Sequence, residues 1–227
     1  MAVEVYRDLR NLFGPARDQG ARPTCLAFAA SDAHAALRAG WEPLSCEFAF
    51  YHAQRRANRS PAEGTTVPAI LEALRHDGQP HENGWAYLAS LPADLSAWRP
   101  PTGVGRLFHR AGRSGRGTVE EIVAGLDGGR PVIVLMHLSM SFFIAGPNGI
   151  VDPAADERPD PVQRHAVVAV GHGAWNGQRV ILVRNSWGEA WGQSGHAWLT
   201  EAFLRPRAFL LAVLLESIDV STPVTTA

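Results

Sequence analysis

Apolar positions recur at helical spacing through the first third of the chain. After residue 130 they gather into short continuous runs. Leu26, Phe28, Ala29, Ala30, Ala33, Ala36 and Leu37 fall on one face of a 3.6-residue repeat. They predict a helix from Cys25 to about Ala39, with Thr24 as N-cap and Gly40 at the C′ position. "LSCEFAFYHAQRRAN" predicts a second helix capped by Ser45. "TTVPAILEALRHDG" predicts a third, with Pro68 near its first turn and Gly78 past its end. In "TVEEIVAGLDGG", Thr118 followed three residues later by Glu121 has the form of a capping box.

The later runs "PVIVLMHL", "HAVVAVGH", "RVILVRN", "HAWLT" and "AFLLAVLLES" are rich in β-branched residues and separated by Gly, Asn and Pro turns, so they read as strands. Helices first and strands second predict an α+β fold with two segregated lobes. The expected division is a helical lobe over about 8–105, a β lobe over about 106–216 and a frayed tail over 217–227. The Gly-, Pro- and Arg-rich stretch 100–117 is the expected crossing between lobes.

Composition narrows the function classes. The chain has 227 residues, 46% of them apolar, enough for a sizeable core in one domain. A formal net charge of -1 points to neither nucleic acid nor an anionic membrane as partner. All 21 basic residues are arginine. Arg106, Arg110, Arg113 and Arg116 form a basic run that reads as a solvated loop or as a dock for an acidic partner. No run of about 18 apolar residues predicts a transmembrane helix, and the N-terminus lacks the pattern of a signal peptide. Two cysteines allow at most one disulfide, so free thiols and a cytoplasmic location are expected; delivery into another cell stays an open alternative. No CxxC, HExxH or other metal-ligand spacing accompanies the 9 histidines, and no nucleotide-binding glycine motif follows a strand. No metal or cofactor is expected.

Cys25 opens the first predicted helix. A thiol there faces unpaired backbone N–H groups and the positive end of the helix dipole, both of which favour the thiolate. Alone, a cysteine in an alanine-rich helix reads more often as inert packing. Two distant segments change the balance. His165 opens the strand-like "RHAVVAVGHG", and Asn185 ends the run in "VILVRNSWGEAWG". A cysteine nucleophile needs an imidazole to move its proton, and the imidazole needs a third group to fix its tautomer.

With these segments the chain resembles the papain-like (C1 family) cysteine peptidases. "DQGARPTCLAFAA" is similar to Q-G-x-C-G-S-C-W-A-F-S, "RHAVVAVGHG" to D-H-A-V-x-x-V-G-Y-G, and "RNSWGEAWGQSGHAWL" to N-S-W-G-x-x-W-G-x-x-G-Y-x-x-L. The resemblance implies a two-lobe fold, a helical N-terminal lobe and an antiparallel β-barrel-like C-terminal lobe, with the active site between them. It implies Cys25 as nucleophile, His165 as general base and acid, Asn185 as the residue that orients His165, and Trp187 as cover for their hydrogen bond. The Gln19 side chain and the Cys25 backbone N–H would form the oxyanion hole. "EGTTVPAILEAL" resembles the family's G-G-Y-P-W segment, with Gly64 retained and Thr65 in place of the second glycine, where a side chain narrows the groove. Val67, Leu135 and Ala166 would line an apolar second subsite.

The chain departs from the family pattern in places. Arg22 stands where the family has a disulfide-forming cysteine, and Leu26 where it has an aromatic residue. Arg164 adjoins His165, where a cation would disfavour the imidazolium. Cys46 falls at a family Glu and reads as a free thiol. No inhibitory propeptide is recognised ahead of Met1: either processing removes it or control runs by another route, a regulatory protein partner among them, and the initial Met favours the second. The expected function is a cysteine endopeptidase acting on a peptide or protein substrate; isopeptidase and aminopeptidase activities would use the same residues. The alternative is a catalytically weak or inactive module that binds a peptide or protein partner in the cleft, favoured by Arg164, Leu26 and Thr65.

Overall fold

The computed structural model describes residues 2–145 and 148–218. In chain order the elements are β1 (Glu4–Asp8), α1 (Cys25–Ala36), α2 (Cys46–Ala57), α3 (Val67–His76), β2 (His109–Gly115), α4 (Val119–Asp127), β3 (Val132–Leu138), α5 (Met140–Phe143), β4 (Ile150–Val151), β5 (Asp160–Trp175), β6 (Gln178–Arg184), β7 (His196–Thr200), α6 (Glu201–Leu204) and β8 (Ala208–Ile218). No helix among the described residues is long and apolar enough to cross a membrane.

Two of the three N-caps read from the sequence, Ser45 and Thr118, form, and Thr66 caps α3 beside them. Ser45, Thr66 and Thr118 accept from the backbone N–H of Phe48, Ala69 and Glu121 respectively. The box at Thr118 is only half made, because the Glu121 carboxylate accepts from Arg116 N instead of reaching the N-cap. Thr24 does not cap α1. Its hydroxyl meets the Tyr87 hydroxyl at 2.9 Å, a partner that sequence spacing gives no hint of. Helix α1 also stops at Ala36, three residues early, where Arg38 N turns back to Ala35 O. Every residue of α1 after Cys25 is buried. That explains its alanines: a helix enclosed on all sides needs small side chains for its neighbours to approach.

The strands form one sheet in the order β2-β8-β3-β5-β6-β7-β4, with β1 added along β5. All pairings are antiparallel except β4 with β7. The barrel-like expectation is corrected here: the path ends at β2 and β4, and the sheet is not closed. The reason lies in alternation along the strands. Ile133, Ala166, Val168, Val180 and Leu182 face a core shared with α1–α3. Val132, Val134, Val167, Ala169, Ile181 and Val183 face a second core shared with α4 and α6. A sheet covered on both faces has no interior to close around, and its strands become continuously apolar.

The stretch 100–117 is also corrected. Its residues His109–Gly115 are the edge strand β2, paired with β8, and Arg110 is buried there with its guanidinium on Leu215 O and Leu37 O. Arg106, Arg113 and Arg116 are exposed. Strand β8 runs to Ile218, two residues past the expected lobe boundary; the rest of the tail, 219–227, lies outside the described residues.

One buried charge cluster ties helix to sheet. Asp32 of α1 takes Arg17 Nε at 2.9 Å on one oxygen and Arg184 Nε of β6 at 2.7 Å on the other. Arg184 also donates to Gly14 O and Pro15 O. Burial pushes the Asp32 carboxyl up, but the two guanidiniums outweigh it and hold the pKa below the ordinary carboxylate value. Removing one member of such a cluster leaves buried charge uncompensated. Asp32→Asn is expected to cost about 3–5 kcal/mol of stability, read from urea unfolding at neutral pH; a loss under about 1 kcal/mol would show that the cluster does not brace the fold.

Candidate active site

Cys25 sits at the first position of α1, half-buried, against the start of the apolar part of β5. Burial pushes its thiol pKa up, while hydrogen bonds from the backbone N–H groups of Ala166, Leu26 and Cys25 itself pull the other way. Ala166 follows His165 directly, so the sulfur lies beside the strand that carries the imidazole. Cys46 is fully buried, and its thiol is pushed far up by desolvation.

His165 is 5% exposed, and its Nε2 lies 2.7 Å from Asn185 Oδ1. The same oxygen accepts from Ser186 N at 2.8 Å. A backbone N–H can only donate, so this Asn185 atom is oxygen and His165 Nε2 must carry the hydrogen. In the neutral ring the basic lone pair is therefore on Nδ1. Desolvation lowers the His165 pKa to about 4, with the Asn185 bond opposing it. Arg164 plays no part in that shift. As the neighbouring strand residue it points the other way and is exposed, its guanidinium over the Phe209 ring. The expected repulsion between Arg164 and His165 is thus absent.

Gln19 is buried, with Nε2 donating to Arg22 O at 2.8 Å and Oε1 accepting from Ser186 Oγ at 2.7 Å. An amide nitrogen has two hydrogens, so one N–H of Gln19 is left for another acceptor. The Gln19 loop is paired to the segment after Asn185: Gln19 N donates to Ser186 O and Gly188 N to Arg17 O. Gly20, at φ +56, turns the chain immediately after. Ser186 therefore touches both Gln19 and Asn185, a link that sequence reading missed although Ser186 lies inside the "NSW" motif.

Arg22 does more than occupy a vacant cysteine position. Its guanidinium makes two bonds to Glu47, at 2.6 and 2.9 Å, and Glu47 also accepts from Leu88 N and Trp98 Nε1. The pair is buried and joins the Gln19 loop to α2.

The imidazole is roofed by aromatic rings. Trp187 lies tilted against His165, centroids 4.7 Å apart, and Phe142 meets His165 edge-on at 5.8 Å. Phe143 stacks on Trp187 at 5.4 Å, and Trp191 Nε1 donates to Phe142 O. Trp187 was legible from sequence; Phe142, Phe143 and Trp191 were not assigned to the site. The carboxylate of Glu157 holds α5 in place by accepting from Ser141 N and Ser141 Oγ. These and other bonds outweigh desolvation and hold its pKa at about 2.

Val67 and Ala166 are buried, Leu135 is half-buried, and all three share one apolar cluster with Cys25. Gly64 lies beside Pro23 O: a Cβ there would sit 3.7 Å from it, so bulk alone does not demand glycine. The Thr65 hydroxyl is buried without a hydrogen-bond partner among the described residues.

A family model described as papain family cysteine protease matches residues 106–203. A cysteine protease of Blomia tropicalis is 26% identical over 196 residues, covering 81% of this chain and 56% of that protein. Papaya proteinase 4 of Carica papaya is 34% identical over 73 residues, covering 32% of this chain and 20% of that protein. The chain thus spans about half or less of the length of these curated relatives. Xylellain, a cysteine protease from Xylella fastidiosa, superposes with a TM-score of 0.73 at 20% identity, over 94% of this chain and 86% of that one.

His165, His34 and His196 all have pKa values lowered chiefly by desolvation, to about 4, 3 and 4, from an ordinary 6.5. Between about pH 4 and 6.5 the unfolded chain binds these protons and the folded chain does not, so stability rises with pH across that window. NMR titration should place the His165 imidazole near pH 4. Asn185→Ala should move it lower still, because the lost acceptor favours the charged ring. A His165 titration at or above 6.5 would contradict this picture.

The fold, the family model over residues 106–203 and these relatives point the same way: the chain is similar to the papain family of cysteine proteases.

Proposed function

We propose that the chain is a cysteine endopeptidase that hydrolyses peptide bonds through an acyl-enzyme on Cys25. His165 Nδ1 takes the thiol proton as the sulfur attacks the scissile carbonyl carbon. The carbonyl oxygen gains charge and is met by the remaining Gln19 N–H and the Cys25 backbone N–H. The C–N bond breaks as His165 returns the proton to the leaving amine. Water then attacks the thioester carbon, giving its proton to His165; the C–S bond breaks, and the sulfur takes the proton back. The observation that carries the reading is the Ser186–Asn185–His165 hydrogen-bond chain, which places the hydrogen on Nε2 and leaves Nδ1 as the base. With a raised thiol and a lowered imidazole pKa, the resting pair is neutral at pH 7, so proton transfer accompanies attack.

The acyl side of the substrate lies along Gly64 and Thr65, with the second residue before the cut facing Val67, Leu135 and Ala166. Support comes from the apolar cluster these three share with Cys25. An apolar side chain is preferred there over a charged one, by about 10-fold or more.

The test is cleavage of a peptide library by the full chain. Cys25→Ala is expected to abolish product, and Gln19→Ala to lower kcat by about 100-fold. Equal product from wild type and Cys25→Ala would end the hydrolase reading. Peptide binding without cleavage by the wild type would favour the binding-module alternative.

A further inference from the structure

The two donors assigned to the oxyanion, Gln19 Nε2 and the Cys25 N–H, stand at opposite ends of one loop. Gln19, Arg22 and Thr24 are buried, while Gly20, Ala21 and Pro23 face solvent, so packing holds only part of it. The bond from Gln19 Nε2 to Arg22 O lies within the loop and moves with it. Its span must be fixed from outside.

The hydroxyl of Tyr87 does this. It lies 2.7 Å from Gln19 O and 2.9 Å from Thr24 Oγ1. A carbonyl only accepts, so the single phenol hydrogen goes to Gln19 O, and Thr24 donates its own to the phenol oxygen. The other acceptor near Thr24 Oγ1 among the described residues is Arg22 O, at 3.5 Å. One atom thus ties the residue that starts the loop to the residue immediately before Cys25. Tyr87 is itself anchored. Its N–H donates to Glu82 Oε1 at 2.8 Å, its ring meets Phe28 of α1 edge-on at 4.7 Å, and the Arg22 guanidinium lies over the ring at 5.1 Å.

We propose that the Tyr87 hydroxyl is a positioning group for the oxyanion hole: it sets the separation of the Gln19 and Cys25 donors. This rests on the hydrolase reading above. Such donors act only when they sit about 2.7–3.1 Å from the oxygen that gains charge. A loop that drifts loses contacts made in the transition state, so the loss falls on kcat and leaves KM nearly unchanged.

Tyr87→Phe keeps the ring and its packing and removes only the two bonds. The test is acylation of the full chain by N-cinnamoylimidazole. The sulfur bonds to the acyl carbon, the C–N bond to imidazole breaks, and the thiol proton passes through His165 to the departing imidazole. Mass spectrometry of the quenched enzyme reads the thioester and counts competent sites, so a poorly folded variant is not mistaken for a slow one. Donors on the thioester oxygen move the absorption of the conjugated acyl group to longer wavelength. The wild-type acyl-enzyme is expected to absorb to the red of a free cinnamoyl thioester in water. Tyr87→Phe should lose much of that shift and slow hydrolysis of the thioester by about 10-fold or more. On a peptide substrate it should lower kcat by a similar factor with KM within about 2-fold of wild type. Thr24→Val should move the spectrum in the same direction, and Thr24→Ser should leave it in place.

Failure of the wild type to form the thioester overturns the hydrolase reading and this proposal with it. A thioester with the same absorption and the same lifetime in wild type and Tyr87→Phe overturns this proposal alone. So does a Tyr87→Phe variant that loses activity through a raised KM with its spectrum unchanged, since Tyr87 would then serve only the fold.

Discussion

The placing of Cys25 relative to Asn185 depends on a single carboxylate. Asp32 lies two helical turns beyond Cys25, and Arg184, which it holds at 2.7 Å, immediately precedes Asn185. The helix that carries the thiol and the strand that carries the orienting amide are therefore fastened to each other at a buried point about 10 Å from the chemistry. Burying one carboxylate with two guanidiniums is not a cheap source of stability, since desolvation consumes most of the attraction. What the cluster supplies is direction. Arg184 is further fixed by two carbonyls of the 14–15 segment, so β6 has one position relative to α1. Hydrophobic contact between Ala29, Ala30 and the sheet would tolerate sliding; this cluster does not.

From that anchor the site builds outward by backbone pairing. The 17–19 segment pairs with 186–188, so the Gln19 amide and the imidazole's partner are set by one short ladder. Ser186 closes the loop through its side chain. The acceptor of Gln19 is the carbonyl of Arg22, a residue itself held by Glu47. The orientation of a single amide thus follows from an ion pair in the helical layer.

Much of this was legible in the sequence, for reasons that differ by element. Ser45 and Thr118 act within three residues, so spacing reveals them. Thr24 fails as a cap because Tyr87, 63 residues away, claims its hydroxyl. Strand β2 was hidden because glycine and arginine carry no strand signal, and the burial of Arg110 depends on the carbonyls of Leu37 and Leu215. The barrel expectation erred because a strand buried on both faces has the same apolar run whether the sheet curls or lies between helices. Cys25, His165, Asn185 and Gln19 stand inside recognisable motifs, and the bond between His165 and Asn185 agrees with them. The Asp32 cluster required three dimensions, because its partners Arg17 and Arg184 lie 15 and 152 residues away along the chain.

The brace between Arg22 and Glu47 has a consequence for redox chemistry. Where a cystine would link the loop before α1 to its neighbours, this chain uses opposite charges, and both of its sulfurs remain thiols. A reductant can therefore keep Cys25 a free thiol without cutting any cross-link that the fold relies on. Cys46 is sealed from solvent, so oxidation and its reversal are confined to one sulfur.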